Sequence, residues 1–155
     1  MKRFALAAAL VIGLISPAWA DFAAGVEAYD GGDYATALSE WRPLAEQGDA
    51  EAQIALANMY LFGVGVRQDY REAAKWYRRA AEQGEVIAQI NLGELYATGR
   101  GVAKDDVLAY MWFSLAAADG HPYAEVARDE LAPRMTPDQV ARAEELARAW
   151  TPKAP

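Results

Sequence analysis

Few side chains in this sequence are suited to chemistry, and their positions argue against a reaction centre. The chain has no cysteine and one histidine, His121. Beyond its first twenty residues it has two serines, Ser39 and Ser114. A serine nucleophile needs a base within hydrogen-bond reach and a donor for the developing oxyanion. Both serines fall mid-helix beside packing aromatics, near Trp41 and next to Phe113, and His121 between Gly120 and Pro122 reads as a helix start. No catalytic residue is assigned on this pattern. A structural zinc site asks for clustered Cys and His, which a single histidine cannot supply. A calcium loop asks for oxygen ligands at alternating positions over about twelve residues. Asp30-Gly31-Gly32-Asp33 offers two carboxylates around a turn with no Glu to complete the loop, so it reads as a turn and helix cap. Acid pairs such as Asp105-Asp106 and Glu144-Glu145 are sequence neighbours that diverge on a helix. They do not form the facing carboxyls, about 5–9 Å apart, that sugar hydrolysis uses. The expectation is therefore no catalytic site, no metal and no cofactor.

Composition narrows the partners. Lys2 and Arg3, an apolar run from Ala5 to Ser16, Pro17 and then Ala18-Trp19-Ala20 have the layout of a cleavable signal peptide, with the cut after Ala20. The apolar run is short of the roughly 20 residues that span a bilayer, so stable membrane insertion after cleavage is not expected. A periplasmic or secreted location is. The formal charge is −7, and removal of Lys2 and Arg3 makes it more negative by two. Such a chain has no electrostatic footprint for nucleic acid and is repelled by anionic lipid. Without cysteines, packing alone must hold the domain together.

The elements that position these residues come from an internal repeat. A shift of 36 residues superposes Ala45-Glu46-Gln47-Gly48 on Ala81-Glu82-Gln83-Gly84, then on Ala117-Ala118-Asp119-Gly120. The same shift aligns Asp33, Asp69 and Asp105, then Trp41, Tyr77 and Phe113, and it lays Gly63-x-Gly65-Val66 on Gly99-x-Gly101-Val102. Each unit reads as two helices. Ala52, Leu56 and Tyr60 form an i, i+4, i+8 stripe on the first, which Gly63 ends. Ala73, Trp76, Tyr77, Ala80 and Ala81 recur at three- and four-residue spacing on the second. Asp69 is placed to cap it, with Glu72 completing a capping box. Alanine stripes let helix axes approach closely, and the aromatics fill the wider gaps, so Trp76 is expected to be buried. No long alternating Val, Ile and Thr run predicts a sheet.

The run Ala52-Gln53-x3-Ala57-x2-Tyr60-x2-Gly63-x-Gly65-Val66-x2-Asp69-x3-Ala73-x2-Trp76-Tyr77-x2-Ala80-Ala81-x-Gln83-Gly84 resembles a complete Sel1-like repeat, and Ala88 to Gly120 resembles a second. Phe22 to Gly48 has the shorter turn Gly32-Asp33-Tyr34 and is similar to a tetratricopeptide unit. The expected fold is all-α, a right-handed solenoid of antiparallel helix pairs with about eight helices. Its divisions are a signal peptide at 1–20, an N-terminal cap pair at 21–48 and repeats at 49–84 and 85–120. A C-terminal cap pair follows at 121–150, its last helix started by Thr136 with Gln139 in a capping box, and then a loose tail at 151–155. The resemblance implies an adaptor that binds a protein or peptide on a concave face lined by the first helix of each pair. Related repeat proteins with a disulfide in each unit are linked to cell-wall ligands. The absence of cysteine weakens that implication, so a peptidoglycan-associated hydrolase or enzyme subunit is the runner-up.

The helical wheel assigns the face opposite the buried stripe to Glu51, Ile54, Asn58 and Leu61 in one unit and to Ile87, Ile90, Glu94 and Ala97 in the next. Phe22, Val26 and Tyr29 are the counterparts in the cap. Ile54, Ile90, Val26 and Tyr29 would form an apolar floor, Asn58 would pair with a ligand backbone, and Glu51 and Glu94 would favour a basic partner. A third reading is self-association through a stripe on the last helix around Leu146 and Trp150. The sequence leaves the oligomeric state open.

Overall fold

The computed structural model describes residues 21–154. The signal-peptide reading therefore lies outside the described residues. Within them the chain forms α1 (Phe22–Asp30), α2 (Tyr34–Glu46), α3 (Ala50–Phe62), α4 (Tyr70–Glu82), α5 (Val86–Thr98), α6 (Asp106–Ala118), α7 (Pro122–Leu131) and α8 (Pro137–Ala149). A short 3-10 turn, Ala132–Arg134, precedes α8, and the described residues contain no strand.

Local chemistry sets the helix ends. Asp21, Asp33, Asp49, Asp69 and Asp105 each accept a hydrogen bond from a backbone N–H in the first turn of the helix that follows. At the other end, Gly63 and Gly99 adopt left-handed backbone with φ of 68° and 69°, a conformation a side chain would oppose. The capping box expected at Asp69 is half made. Asp69 accepts from the N–H groups of Arg71 and Glu72, while the Glu72 carboxylate turns away to Lys75 Nζ at 3.4 Å. The box at Thr136 is complete, with Gln139 N donating to Thr136 Oγ1 at 3.2 Å and Thr136 N donating to Gln139 Oε1 at 2.8 Å.

Consecutive helices pack on one another from α1 through α7. The core is the alanine-and-aromatic stack that the period predicts. Ala37, Ala73 and Ala109 are fully buried, as are Ala52, Ala88 and Ala124, and Trp76 is 2% exposed. Two glutamines share this core by a rule of their own. Gln53 Nε2 donates to Ala45 O at 3.0 Å, and Gln89 repeats the bond one unit later to Ala81 O at 3.4 Å. Gln83 Nε2 donates to Gln53 Oε1, but Gln89 Oε1 has no partner. The register position that would supply one is Asp119, whose side chain has no N–H.

The C-terminal region differs from a helix pair. α8 packs chiefly on α6, not on α7. Leu146 and Trp150 pack half-buried against the main core, with Trp150 edge-on to Trp112 at 6.3 Å. The stripe that suggested self-association is thus engaged in part within the chain. Nor is the tail loose. Lys153 N donates to Glu82 O at 2.7 Å, Lys153 Nζ lies 2.9 Å from the Glu82 carboxylate, and Pro152 lies against Gly84. The free carbonyls at the end of α4 give the tail backbone an acceptor.

Candidate functional site

The first helices α1, α3, α5 and α7 carry the candidate surface. The turn of the first unit is four residues shorter than that of the second (31–33 against 63–69), so Val26 corresponds to Asn58, and the 36-residue step leads on to Glu94 and Glu130. Two hollows occupy equivalent places along this series. The first, about 220 Å³, is lined by Phe22, Val26, Tyr29, Trp41, Ala55 and Asn58. Trp41 forms its back wall, anchored by a 3.2 Å bond from Nε1 to Phe22 O and packed against Phe22 and Tyr29 with ring centres 5.8 and 5.6 Å away. The second, about 340 Å³, is lined by Glu94, Ala97, Phe113, Tyr123, Ala127, Glu130, Leu131 and Arg134. Phe113 stands where Trp41 stands in the first, and Ala127 where Ala55 stands.

The two hollows differ in chemistry. The N-terminal one is aromatic and apolar. In the C-terminal one the Tyr123 hydroxyl donates to the Glu94 carboxylate. That bond, partial burial and the charges of Glu94 and Glu130 push the Tyr123 hydroxyl up to about 12. With two carboxylates, Glu94 and Glu130, against one guanidinium, Arg134, the lining is net negative and attracts cations.

Of the residues expected at the site, Phe22, Val26, Tyr29 and Asn58 meet in the first hollow and Glu94 and Ala97 line the second. Glu51 is exposed, and Ile87 is 50% exposed. Ile54 and Leu61 are half-buried and pack against the main core. Ile90 is 8% exposed and belongs to the C-terminal core, so it offers a partner little surface as a groove floor. Asn58 is also engaged, since the buried Tyr77 hydroxyl donates to its Oδ1 at 2.5 Å. Sequence reasoning missed Trp41, Ala55, Ala127 and Glu130 as lining residues, and the exposed Tyr123 and Val126 beside them. One more 36-residue step from Ile87, Ile90 and Glu94 reaches Tyr123, Val126 and Glu130, so the signal was in the sequence.

Both serine hydroxyls are engaged with the backbone of their own helices. Ser39 Oγ donates to Thr36 O at 2.8 Å, and Ser114 Oγ donates to Tyr110 O at 2.8 Å. Among the described residues no three His, Asp or Glu side chains converge as a metal cage would need, and no helix is long and apolar enough to cross a membrane.

A stack of helix pairs with a lined first-helix face defines the class of α-helical repeat proteins. The Sel1 repeat model matches residues 50–85 and 86–121, and the chain belongs to the Sel1-repeat family. Two solved structures are similar. One is a protective antigen present in uropathogenic Escherichia coli strains displaying an SLR fold, 35% identical with a TM-score of 0.74 over 79% of this chain and 27% of that one. The other is a Sel1 repeat protein from Oxalobacter formigenes, 30% identical with a TM-score of 0.68 over 82% of this chain and 54% of that one. The chain thus spans about a quarter and about half of these two proteins. No curated protein sequence matches it.

Proposed function

We propose that this chain is an exported interaction module that holds an extended, basic segment of a partner protein along its first-helix face. The observation that carries the reading is the pair of equivalent hollows, one walled by Trp41 and Val26 and the other by Phe113 with Glu94 and Glu130. An apolar side chain of the partner fits the first, and a lysine or arginine fits the second. Packed helices lie about 8–10 Å apart, so hollows two first helices apart are separated by roughly 20 Å. An extended strand rises about 3.3 Å per residue, which sets the apolar and basic anchors about six residues apart. Glu51 and the net charge of −7 add to the preference for a cationic segment. Export rests on the N-terminal sequence pattern described above.

Selection of peptides displayed on phage against the purified chain tests the reading. The expected winners pair an aromatic or aliphatic residue with Lys or Arg at about that spacing. They should lose binding to a Val26→Asp, Glu94→Gln variant, in which the new amide oxygen at position 94 can still accept from Tyr123. Enrichment of acidic sequences, or binding that survives the double substitution, would put the interaction elsewhere.

A further inference from the structure

A separate hollow of about 810 Å³ opens where the loops of the two Sel1 units meet, lined by Tyr60, Val66, Arg67, Gln68, Asp69, Tyr70, Arg71 and Gly101. We infer that it binds a small oxyanion-bearing ligand, a phosphate or carboxylate, through Arg67, Arg71 and Arg100.

Charge makes the first case. Acids outnumber bases by 22 to 15 in this chain, yet among the described residues none of these three guanidiniums pairs with a carboxylate. The one carboxylate in the lining, Asp69, spends Oδ1 on the N–H groups of Arg71 and Glu72 at the start of α4. Arg100, on the second loop next to the lining residue Gly101, stands beside the hollow with its guanidinium 5.6 Å from the centre of the Tyr70 ring. It is held there because the loops touch: a Cβ on Gly101 would lie 2.1 Å from Tyr70 O.

Donor bookkeeping makes the second case. Tyr60 Oη accepts from Arg42 Nη2 at 2.8 Å, and Tyr70 Oη accepts from Gln68 Nε2 at 3.2 Å. Both hydroxyls already accept, and each keeps its O–H to donate. Guanidinium forks and donating hydroxyls suit a ligand made only of acceptors, and Arg matches the geometry of phosphate and carboxylate.

The repeat supplies an internal control. One step on, Arg67 becomes Ala103, Tyr70 becomes Asp106 and Arg71 becomes Val107, while Arg100 itself answers to Val64 in the first loop. The corresponding hollow of the second unit is lined by Lys104, Asp105, Asp106, Val107 and Gln139, and Lys104 lies 3.7 Å from Asp106. The same loop therefore folds without these arginines. They are additions to the scaffold.

The test is an NMR titration of the isotope-labelled chain at low salt with pyrophosphate and, separately, with citrate. The companion variant is Arg67→Ala, Arg71→Val, which installs the residues of the second unit and so keeps the fold. Arg148→Ala, on the far helix α8, is the control. Saturable shifts confined to residues 66–71 and 99–102 are expected. Losing two charge-assisted hydrogen bonds should weaken binding by about tenfold or more, with melting temperature and the Arg148→Ala affinity unchanged. Tighter binding of pyrophosphate points to a phosphate ligand, and tighter binding of citrate to a carboxylate. No saturable shift with either probe, or equal binding by the double variant, overturns the inference.

Discussion

Tyr77 lies in the middle of the stack with no exposed surface, and its hydroxyl reaches Asn58 on the preceding helix. Burial pushes the Tyr77 hydroxyl above the ordinary tyrosine range. The charged form is the deprotonated one, so the folded chain keeps this proton to higher pH than the unfolded chain does. The stability linked to it is complete below pH about 10, where unfolded tyrosine begins to ionise, and is lost as the pH rises toward the folded value. Tyr77→Phe should cost about 1 kcal/mol near neutral pH through the missing hydrogen bond. Above pH 10 the gap should narrow, because the variant lacks the ionisation that weakens the parent. Urea unfolding at pH 7, 9, 10.5 and 11 measures both; a gap that widens with pH would reverse the sign of the linkage. Alanine at Asn58 would strand the Tyr77 hydroxyl, so Val26 and Glu94 are the cleaner probes. The helical wheel gave Asn58 a direction but not this partner, since a wheel carries no information on how far a side chain from the next helix reaches.

Helix α5 begins less well than its counterpart α3. Asp49 accepts from Ala52 N at 2.7 Å at the start of α3, but the register position before α5 is Glu85, whose side chain makes no capping bond. The extra methylene carries the Glu carboxylate past the N–H groups that Asp reaches. Glu85→Asp should therefore stabilise the chain by about 1 kcal/mol, read as a higher urea midpoint at unchanged slope. An unchanged midpoint would mean the α5 N-terminus is already satisfied by water. This is the scale at which the sequence was most legible. Repeating Asp, Ala, aromatic and Gly positions located the helices from α2 through α6, because each feature is local and recurs. Legibility fell away after Gly120. Leu56 and Tyr60 give way to Arg128 and Ala132 there, the repeat persists only in part through α7, and no periodicity says which earlier helix α8 will choose. The half-made box at Asp69 failed for a similar reason: Glu72 has a second suitor in Lys75 that the motif ignores.

At the scale of the whole molecule, each helix leans mainly on its sequence neighbours, as in other solenoids. The exceptions are α8 on α6 and the tail on Glu82. The candidate binding face followed the same division. Val26, Tyr29, Asn58 and Glu94 were legible because their positions repeat, whereas Trp41 enters the face from a second helix and is visible only once the helices are packed.

That neighbour-on-neighbour arrangement has a kinetic side. Contacts between residues close in sequence require little loop closure before they form, so such a chain should fold in the microsecond-to-millisecond range. The clasp of Lys153 on Glu82 joins distant parts of the chain and belongs to the last step. A chain ending at Trp150 should therefore refold as fast as the parent but unfold several-fold faster, a loss of about 1 kcal/mol placed on the unfolding limb. Stopped-flow measurements in urea would show it; a slower folding limb would instead place the clasp in the folding nucleus. The last few residues act as a brake on unfolding, and they set the lifetime of the folded state instead of the speed of reaching it.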